Sequence, residues 1–243
     1  MGEEIRQARV DLAAALRLAV RYGLQEGICN HFSYAVPGQD DRFLLNPYGS
    51  HWSQLSASDL LLVDGAGKVL EGGGEPEVSA FCIHAPIHQR HPRARAVLHS
   101  HMPYATALTS IENGRLEPVT QNALRFHGDV AYDDDYNGVA EDPAEGARMA
   151  AALGGNRVLF LAHHGVIVVG ETMAQAFDDL YYLERACEVQ VLAMSTGRPL
   201  KRIGDNVAGS VFSAWSGKDG SYAKAHFDAL KRVLDAEEPG YAQ

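Results

Sequence analysis

The sequence predicts an α/β protein built as one domain. Short apolar runs typical of strands alternate with longer segments whose apolar residues recur at helical spacing. A chain of 243 residues with 46% hydrophobic residues is long enough to bury a full core. Neither an internal repeat nor a low-complexity segment marks a domain boundary. We therefore expect residues 1–243 to form a single domain, with residues 201–243 as a looser C-terminal extension.

The first part of the chain predicts one long helix followed by strands and turns. Residues 4–22 place apolar side chains at helical spacing, and Gly23 is suited to end that helix. Pro, Gly and Asp residues then separate short apolar runs, which is the pattern of strands joined by turns. The turn-rich and strand-like segments are residues 36–41, 43–45, 60–63, 69–70 and 96–100. Ser56 or Ser58 can cap a short turn before the strand at 60–63.

The remaining elements are mostly helices. Residues 75–90 favour a helix, but Pro86 lies inside it, so we expect a kink or an early end. Pro103 suits the first turn of a helix, and Thr172 with Gln175 forms a capping box before a long helix ending at Gly197. The other expected segments are strand and loop at 114–138, helix at 143–153, buried strands at 158–161 and 166–169, and an amphipathic stretch at 222–234.

Charge and cysteine content limit the class of partner and the compartment. The chain has 21 Lys+Arg and 31 Asp+Glu, and this net charge of −10 disfavours a nucleic-acid partner. Apolar runs stay well short of the ~20 residues that span a membrane, and the N-terminus lacks an apolar signal core. Three widely spaced cysteines argue against a disulfide framework or a thiolate zinc site. We expect a cytoplasmic protein that acts on a small molecule.

A His-Ser-His sequence at a strand end is the main chemical feature. Alternation along the strand at 96–100 places His99 and His101 on one face, within reach of one divalent metal. A third nitrogen ligand is available from His163-His164-Gly165, which follows another apolar run. Three imidazoles with an open fourth position are the arrangement of a catalytic metal site. The alternative is that these histidines are ordinary packed residues.

Three further histidines share one face of the helix predicted at 75–90. His84, His88 and His91 lie at positions i, i+4 and i+7. This spacing permits a second metal site, but we favour a hydrogen-bonded helix face packed near the sheet.

Four motifs together resemble the class II aldolase/adducin family over roughly residues 8–200. The motifs, in the family's order, are Asn30-His31-Phe32-Ser33, Asn46-Pro47-Tyr48-Gly49, Arg95 to His101, and Ala162-His163-His164-Gly165. The resemblance implies a three-layer α/β/α sandwich with a central, mainly antiparallel sheet, assembled as a homotetramer. It also implies one divalent metal per subunit, held by His99, His101 and His164 at a subunit boundary.

The resemblance also suggests substrate-binding residues. Loops that bind the anionic end of the substrate in the family's sugar-phosphate enzymes correspond to Asn30 and to a second segment, from which we take Asn46, Gly49 and Ser50. Gln121 and Arg125 lie in a segment that resembles the adducin-like branch. They are candidates to cover the metal pocket, with Arg125 meeting an acid group. The alternative is that Arg125 pairs with the acidic run at 133–135.

One departure from the family decides which reaction we favour. The aldolases use a metal-binding, proton-shuttling glutamate at the position that is Ala80 in this chain, and Glu77 is not the aligned residue. Decarboxylation needs no base before the bond breaks, only a later proton donor. We take His31 and Tyr48 as candidate catalytic residues for that step, with water as an alternative donor.

The resulting hypothesis is a divalent-metal-dependent lyase, using Zn, Mn or Fe. It would act by decarboxylation or retro-aldol cleavage on a small carboxylated carbonyl or hydroxy compound, through a metal-stabilised enediolate. Two alternatives remain. One is a non-heme Fe(II) oxygenase acting on a 2-keto or hydroxy acid, because imidazole accepts iron, zinc and manganese alike. The other is a non-catalytic, adducin-like assembly module.

Overall fold

The structure is a computed structural model that describes residues 2–39, 41–216 and 220–243. Asp40, within the turn expected at 36–41, and residues 217–219, within the expected C-terminal extension, lie outside the described residues.

The described residues form seven α-helices and eight strands. The helices are α1 Glu3–Arg21, α2 Val78–Arg90, α3 Pro103–Thr109, α4 Pro143–Leu153, α5 Met173–Met194, α6 Asp205–Ser216 and α7 Ser221–Glu237. The strands are β1 His31–Ala35, β2 Arg42–Leu45, β3 Leu61–Asp64, β4 Val69–Glu71, β5 Ala96–Ser100, β6 Val130–Asp133, β7 Val158–Leu161 and β8 Gly165–Gly170. Among these helices, none combines the length and the apolar character that a membrane span requires.

The eight strands form one sheet in the order β4-β3-β2-β1-β5-β8-β7-β6. Every neighbouring pair is antiparallel except β6 and β7, which are parallel. β5 lies in the middle, between β1 and β8, and His31 on β1 is paired with His99 on β5. The expectation of a mainly antiparallel central sheet is confirmed.

Helices cover both faces of the sheet. α1, α3 and α5 pack on one face, whereas α2 and α4 pack on the other. Alternation along β5 sends Ala96 and Leu98 into the larger core with α1 and α5, and Val97 into a second core beneath α2 and α4. The expected α/β/α sandwich is confirmed. Because residues at i and i+2 share a face, His99 lies on the α2 side with Val97.

α2 begins later than predicted and continues past its internal proline. It begins at Val78 rather than at residue 75, and it continues through Pro86 to Arg90. Pro86 has no N–H, so the carbonyl of Cys82 loses its donor within the helix. Gly146 of α4 packs against this carbonyl, since a Cβ atom there would lie 1.7 Å from the oxygen. The helix is therefore shorter than the pattern over residues 75–90, as expected, but the missing residues are at its start and not at Pro86.

α1 ends as expected: Gly23 has φ +65°, and the Leu24 N–H donates to the Ala19 carbonyl.

The chain after α5 contains more helix than its sequence suggested. α5, however, ends at Met194 rather than Gly197. α6 was missed in the segment expected to be loose. α7 buries Phe227 and Leu234 in the larger core and packs on α5.

Candidate metal centre

Three histidines from two places in the sheet meet at one end of β5. His99 lies near the end of β5, His101 follows it, and His164 lies in the turn between β7 and β8. One nitrogen from each ring lies within 4.8 Å of the other two. The His-X-His spacing and the apolar run before residue 163 therefore converge as expected from the sequence.

Backbone geometry selects His164 rather than His163 as the third member. His163 adopts φ +56° in the turn and is exposed, with its ring 6.2 Å from that of Tyr136. Gly165 lets the turn approach β5, since a Cβ there would lie 2.5 Å from the Ser100 carbonyl and 3.0 Å from the His101 ring. A side chain at position 165 would push His164 away from its partners.

The hydrogen bonds of the triad suit a divalent cation. His99 Nδ1 donates to the Val166 carbonyl at 3.1 Å, and His101 Nδ1 lies 2.8 Å from Glu26 Oε2. A neutral imidazole carries one N–H, so the Nε2 atom of each ring holds a lone pair. These two Nε2 atoms face each other at 3.1 Å. Two ligands of a tetrahedral Zn²⁺, each about 2.0–2.1 Å from the ion, lie about 3.3 Å apart.

Burial keeps the His99 and His164 rings neutral. Burial and the neighbouring His101 lower the pKa of His164 to about 4, and burial with the adjacent imidazoles lowers the pKa of His99 well below its usual value. Metal binding requires the unprotonated nitrogen, so neither ring must lose a proton at neutral pH. The three side chains fit a bound divalent metal in charge, donor type and spacing.

His31 lies beside the triad without belonging to it. Its ring packs against that of His99 with 4.7 Å between centroids, as the β1–β5 pairing requires. Burial, assisted by His101 and His164, lowers the pKa of His31 to about 3. Its Nε2 lies 3.4 Å from Ser79 Oγ. The structure therefore places this predicted catalytic residue next to the candidate ligands.

Glu77 reaches the region of His31 through Ser79, and comparison with the aldolase pattern did not predict this. Ala80, at the position of the family glutamate, is buried and carries no carboxylate. Glu77 precedes α2, and its Oε1 accepts a hydrogen bond from Ser79 Oγ at 2.9 Å. Burial raises the pKa of Glu77. The Glu77-Val78-Ser79 sequence at the start of α2 was the available signal, but only the fold shows that Ser79 faces His31.

The two predicted asparagines have different environments. Asn30 is 1% exposed, and its Oδ1 accepts from the Glu26 N–H at 2.7 Å, whereas its Nδ2 is buried without a partner among the described residues. Asn46 Oδ1 accepts from the Phe32 N–H at 3.0 Å and so ties its loop to β1. Asn30 thus has a free donor group near His31, while the oxygen of Asn46 is already engaged. Their roles in substrate binding stay predictions.

The loop after β2 lies at the surface. Tyr48 is 58% exposed, and its N–H donates to the Glu75 carbonyl at 2.9 Å. Gly49 has φ +79°, and Ser50 is half-buried. Among the described residues of one chain, no hydrogen bond or ion pair joins this loop to the three histidines. The catalytic and binding roles of Tyr48, Gly49 and Ser50 stay predictions.

Arg125 has a structural environment of its own. It pairs with Asp178 on α5, and its guanidinium lies over the rings of Tyr182 and Trp215 at 4.0 and 4.6 Å. The alternative pairing with residues 133–135 is wrong, since Asp133 and Asp134 pair with Arg148 and Arg115 instead.

A separate cavity surrounds Arg125. The cavity, about 300 Å³ in volume, also contacts Gly170 at the far end of β8. The five residue steps from Gly165 to Gly170 span about 17 Å of strand. Gln121 is exposed on the neighbouring surface, beside Trp215. One chain alone does not bring Gln121 or Arg125 to the triad, so their substrate role stays a prediction.

The α2 histidines do form a hydrogen-bonded helix face, as favoured. His84 and His88 both contact Ser33 on β1, and His91 Nε2 donates to the Asn156 carbonyl at 2.9 Å. In the described part of the chain, the metal-binding geometry is found only at His99, His101 and His164.

The fold and site together define a single α/β domain with a three-histidine candidate metal centre at the end of its central strand, β5. The chain belongs to the family described as Class II Aldolase and Adducin N-terminal domain, whose sequence profile matches residues 10–191. An aldolase II superfamily protein from Pseudomonas syringae has a similar crystal structure, with a TM-score of 0.94 and 33% identity. The match covers 100% of this chain and 98% of that one.

Similar sequences carry different functional names. A putative aldolase class 2 protein of Pseudomonas aeruginosa is 36% identical, over 98% of this chain and 92% of its own. Decarboxylase NovR of Streptomyces niveus is 33% identical, over 92% of this chain and 84% of its own. A 4-hydroxy-3-prenylphenylpyruvate oxygenase/4-hydroxy-3-prenylbenzoate synthase of Streptomyces roseochromogenus subsp. oscitans is 32% identical, over 92% and 82%.

Proposed function

We propose that this protein is a divalent-metal-dependent lyase that cleaves a carbon–carbon bond in a small carboxylated carbonyl or hydroxy compound. The observation that carries the proposal is the convergence of three imidazole nitrogens within 4.8 Å, beside a fourth imidazole that is not needed as a ligand. Zn, Mn and Fe all accept such a nitrogen set.

The proposed roles of the site residues follow from their contacts. His99, His101 and His164 would hold the metal, which when bound supplies a Lewis acid for the negative charge that develops on the substrate oxygens. Glu26 and the Val166 carbonyl orient the His101 and His99 rings through their Nδ1 atoms.

The residues around the triad suit substrate binding and proton delivery. The buried Nδ2 of Asn30 has no partner among the described residues, so a substrate carboxylate or carbonyl oxygen that accepts from it would satisfy it. Ser79 Oγ contacts both His31 Nε2 and Glu77, which offers a route for a proton between His31 and a partly buried carboxyl group. Tyr48 would contribute only if its loop moves or if it serves a neighbouring subunit.

Decarboxylation is the favoured reaction. Ala80 removes the carboxylate that would deprotonate an aldolase substrate before bond cleavage. Loss of CO₂ needs only a proton donor afterwards, and Glu77, whose pKa is raised by burial, is the titratable group that would supply this proton through Ser79 and His31 Nε2. The relative named as a decarboxylase supports this choice. Retro-aldol cleavage shares the same type of charged intermediate and is the second lyase reaction to test.

The named oxygenase among the relatives favours one further candidate, an Fe(II) enzyme acting on a 2-keto or hydroxy acid. The same three histidines would hold iron. Metal identity and O₂ consumption separate this candidate from the lyase. We also propose that the protein is a homotetramer, as the family resemblance implies, and that it is cytoplasmic, with a single domain spanning residues 1–243.

The first experiment is elemental analysis of protein purified without added metal, for the wild type and for His99→Ala. His163→Asn is the matched control, because it changes an imidazole one residue from the triad and asparagine tolerates the positive φ. About one metal per chain in the wild type and control, lost in His99→Ala, supports the enzyme. Zinc or manganese directs substrate screening to CO₂ release and retro-aldol cleavage, and iron directs it to oxygen uptake. Absence of metal, even after incubation with each ion, would contradict the proposal and favour an assembly module.

A further inference from the structure

A continuous row of hydrogen bonds leads away from His31 into the space between the sheet and α2. His31 Nδ1 lies 2.8 Å from His84 Nε2, and His84 Nδ1 lies 2.5 Å from Ser33 Oγ. Ser33 Oγ lies 2.7 Å from His88 Nε2, and His88 Nδ1 lies 2.7 Å from the Ala94 carbonyl oxygen. The row therefore ends on a backbone acceptor.

Two simple periodicities bring these residues together. His31 and Ser33 occupy alternate positions on β1 and share its α2 face, whereas Phe32 between them points into the larger core. His84 and His88 lie four residues apart on α2 and therefore share one face of that helix. The centre of the row is shielded from solvent, because His84 and Ser33 are fully buried.

Only one placement of protons satisfies the whole row when its histidines are neutral. A carbonyl oxygen can only accept, so His88 Nδ1 carries a proton and His88 Nε2 accepts from the Ser33 hydroxyl. Ser33 has a single proton, so its oxygen must accept from His84 Nδ1. His84 Nε2 then accepts from His31 Nδ1. Burial favours the neutral forms within the row, because it lowers the pKa of His88 to about 4 and of His84 well below its usual value.

We propose that Ser33, His84 and His88 are positioning residues that hold His31 in the tautomer with its proton on Nδ1, so that His31 Nε2 is a hydrogen-bond acceptor. That nitrogen lies 3.4 Å from Ser79 Oγ, and Ser79 already donates to Glu77 at 2.9 Å. His31 Nε2 therefore keeps a lone pair beside the triad, ready to accept a hydroxyl or acid proton of a bound substrate. That use of the lone pair rests on the proposed function, whereas the direction of the hydrogen bonds does not.

The test is a measurement of imidazole tautomers by long-range ¹H–¹⁵N NMR at pH 7.5 on chelator-treated protein. The His31 signals are assigned by their absence in His31→Gln. His88→Phe is the informative variant, because a phenyl ring can keep the stacking that His88 makes on Phe43, at 5.1 Å between ring centroids, but has no nitrogen. The Ser33 proton is then free to turn towards His84 Nδ1, and the row reverses. We expect the His31 proton on Nδ1 in the wild type and a shift towards Nε2 in His88→Phe.

The matched control is His91→Phe, the same substitution on the C-terminal side of α2. His91 bonds to Asn156 and lies outside the row, so the tautomer of His31 should stay as in the wild type. If His88→Phe does not fold, Ser33→Ala interrupts the row at a second position. We expect a mixture of His31 tautomers in that variant. A wild-type His31 protonated on Nε2 overturns the inference. So does an Nδ1 proton that persists in both His88→Phe and Ser33→Ala.

The outcome is separable from that of the proposed function. The tautomers are measured without metal or substrate, so a triad that binds no metal leaves this inference standing. A metal-loaded, active enzyme with the other His31 tautomer removes only this inference. Once a substrate is known, His88→Phe should lower kcat while KM changes little, because two residues, Ser33 and His84, separate His88 from His31 in the row.

Discussion

Replacing Arg125 by methionine should destabilise the fold rather than act only on substrate binding. The side chains of Arg125 and Asp178 are 8% and 2% exposed, and the pair is covered by the rings of Tyr182 and Trp215. Methionine fills most of the volume but removes the guanidinium from the buried Asp178 carboxylate, which keeps a hydrogen bond from His226 Nδ1 at 2.7 Å. Removing one member of a buried ion pair costs about 3–5 kcal/mol.

Thermal unfolding converts this cost into an observable shift. For a domain of 150–250 residues, each kcal/mol lowers Tm by about 2–4 °C, so Arg125→Met should unfold roughly 6–20 °C below the wild type. Arg6→Met is the control. Arg6 pairs with Glu3 at 2.6 Å on the surface, with side chains 54% and 75% exposed. An exposed pair of this kind adds little to stability, so the Tm of Arg6→Met should stay close to that of the wild type.

Two results would refute this reasoning about Arg125. The first is a Tm equal to that of Arg6→Met, which would mean that the buried pair contributes no more than a surface pair. The second is a wild-type Tm combined with a loss of substrate binding, which would return Arg125 to the role predicted from sequence. Calorimetry on both variants, at the same protein concentration, makes the comparison.

Three further predictions address the metal centre, acid stability and helix packing. Added metal at about 1,000 times its Kd should stabilise the wild type by about 4 kcal/mol, a Tm rise of roughly 8–16 °C by scanning fluorimetry, and His164→Ala should lose this rise while His163→Asn keeps it. An equal rise in His164→Ala would show that the ion binds elsewhere. Burial lowers the pKa of His88 to about 4 from 6.5, so between these pH values the unfolded chain binds a proton that the native protein does not. Stability should therefore fall with pH from 6.5 to 4, and urea titrations of His88→Phe should show a smaller fall, by about 3 kcal/mol at pH 4. Parallel curves for the two proteins would contradict this assignment. Gly146→Ala should cost at least about 1–3 kcal/mol, because the new Cβ would lie 1.7 Å from the Cys82 carbonyl, whereas Gly209→Ala in α6 meets nothing within 4 Å and should be neutral or stabilising. Chemical denaturation of the pair tests this, and equal stabilities would argue against the close α2–α4 contact.

Local sequence patterns predicted the elements and two of the three members of the candidate metal centre, and the family motifs supplied the third, His164. Helical and alternating patterns depend on residues close in the chain, which is why α4 begins at Pro143 and ends at Leu153 as expected. The shared face of His99 and His101 follows from strand alternation alone. The capping residue Thr172, whose side chain accepts from the Gln175 N–H, is equally local. The motifs also identified the family, since their order and spacing are properties of the sequence.

Only the tertiary structure decided which distant side chains become partners. Selection of His164 over His163 depends on a positive φ in the β7–β8 turn and on Gly165 packing against β5. The link from Ser33 to His84 exists because β1 and α2, which place these residues 51 positions apart in sequence, are neighbours in the fold. Arg125 finds Asp178 rather than residues 133–135 for the same reason. Contacts of this kind join residues that are about 50 or more positions apart, and they arise from strand order and helix packing, which no local pattern of residues encodes.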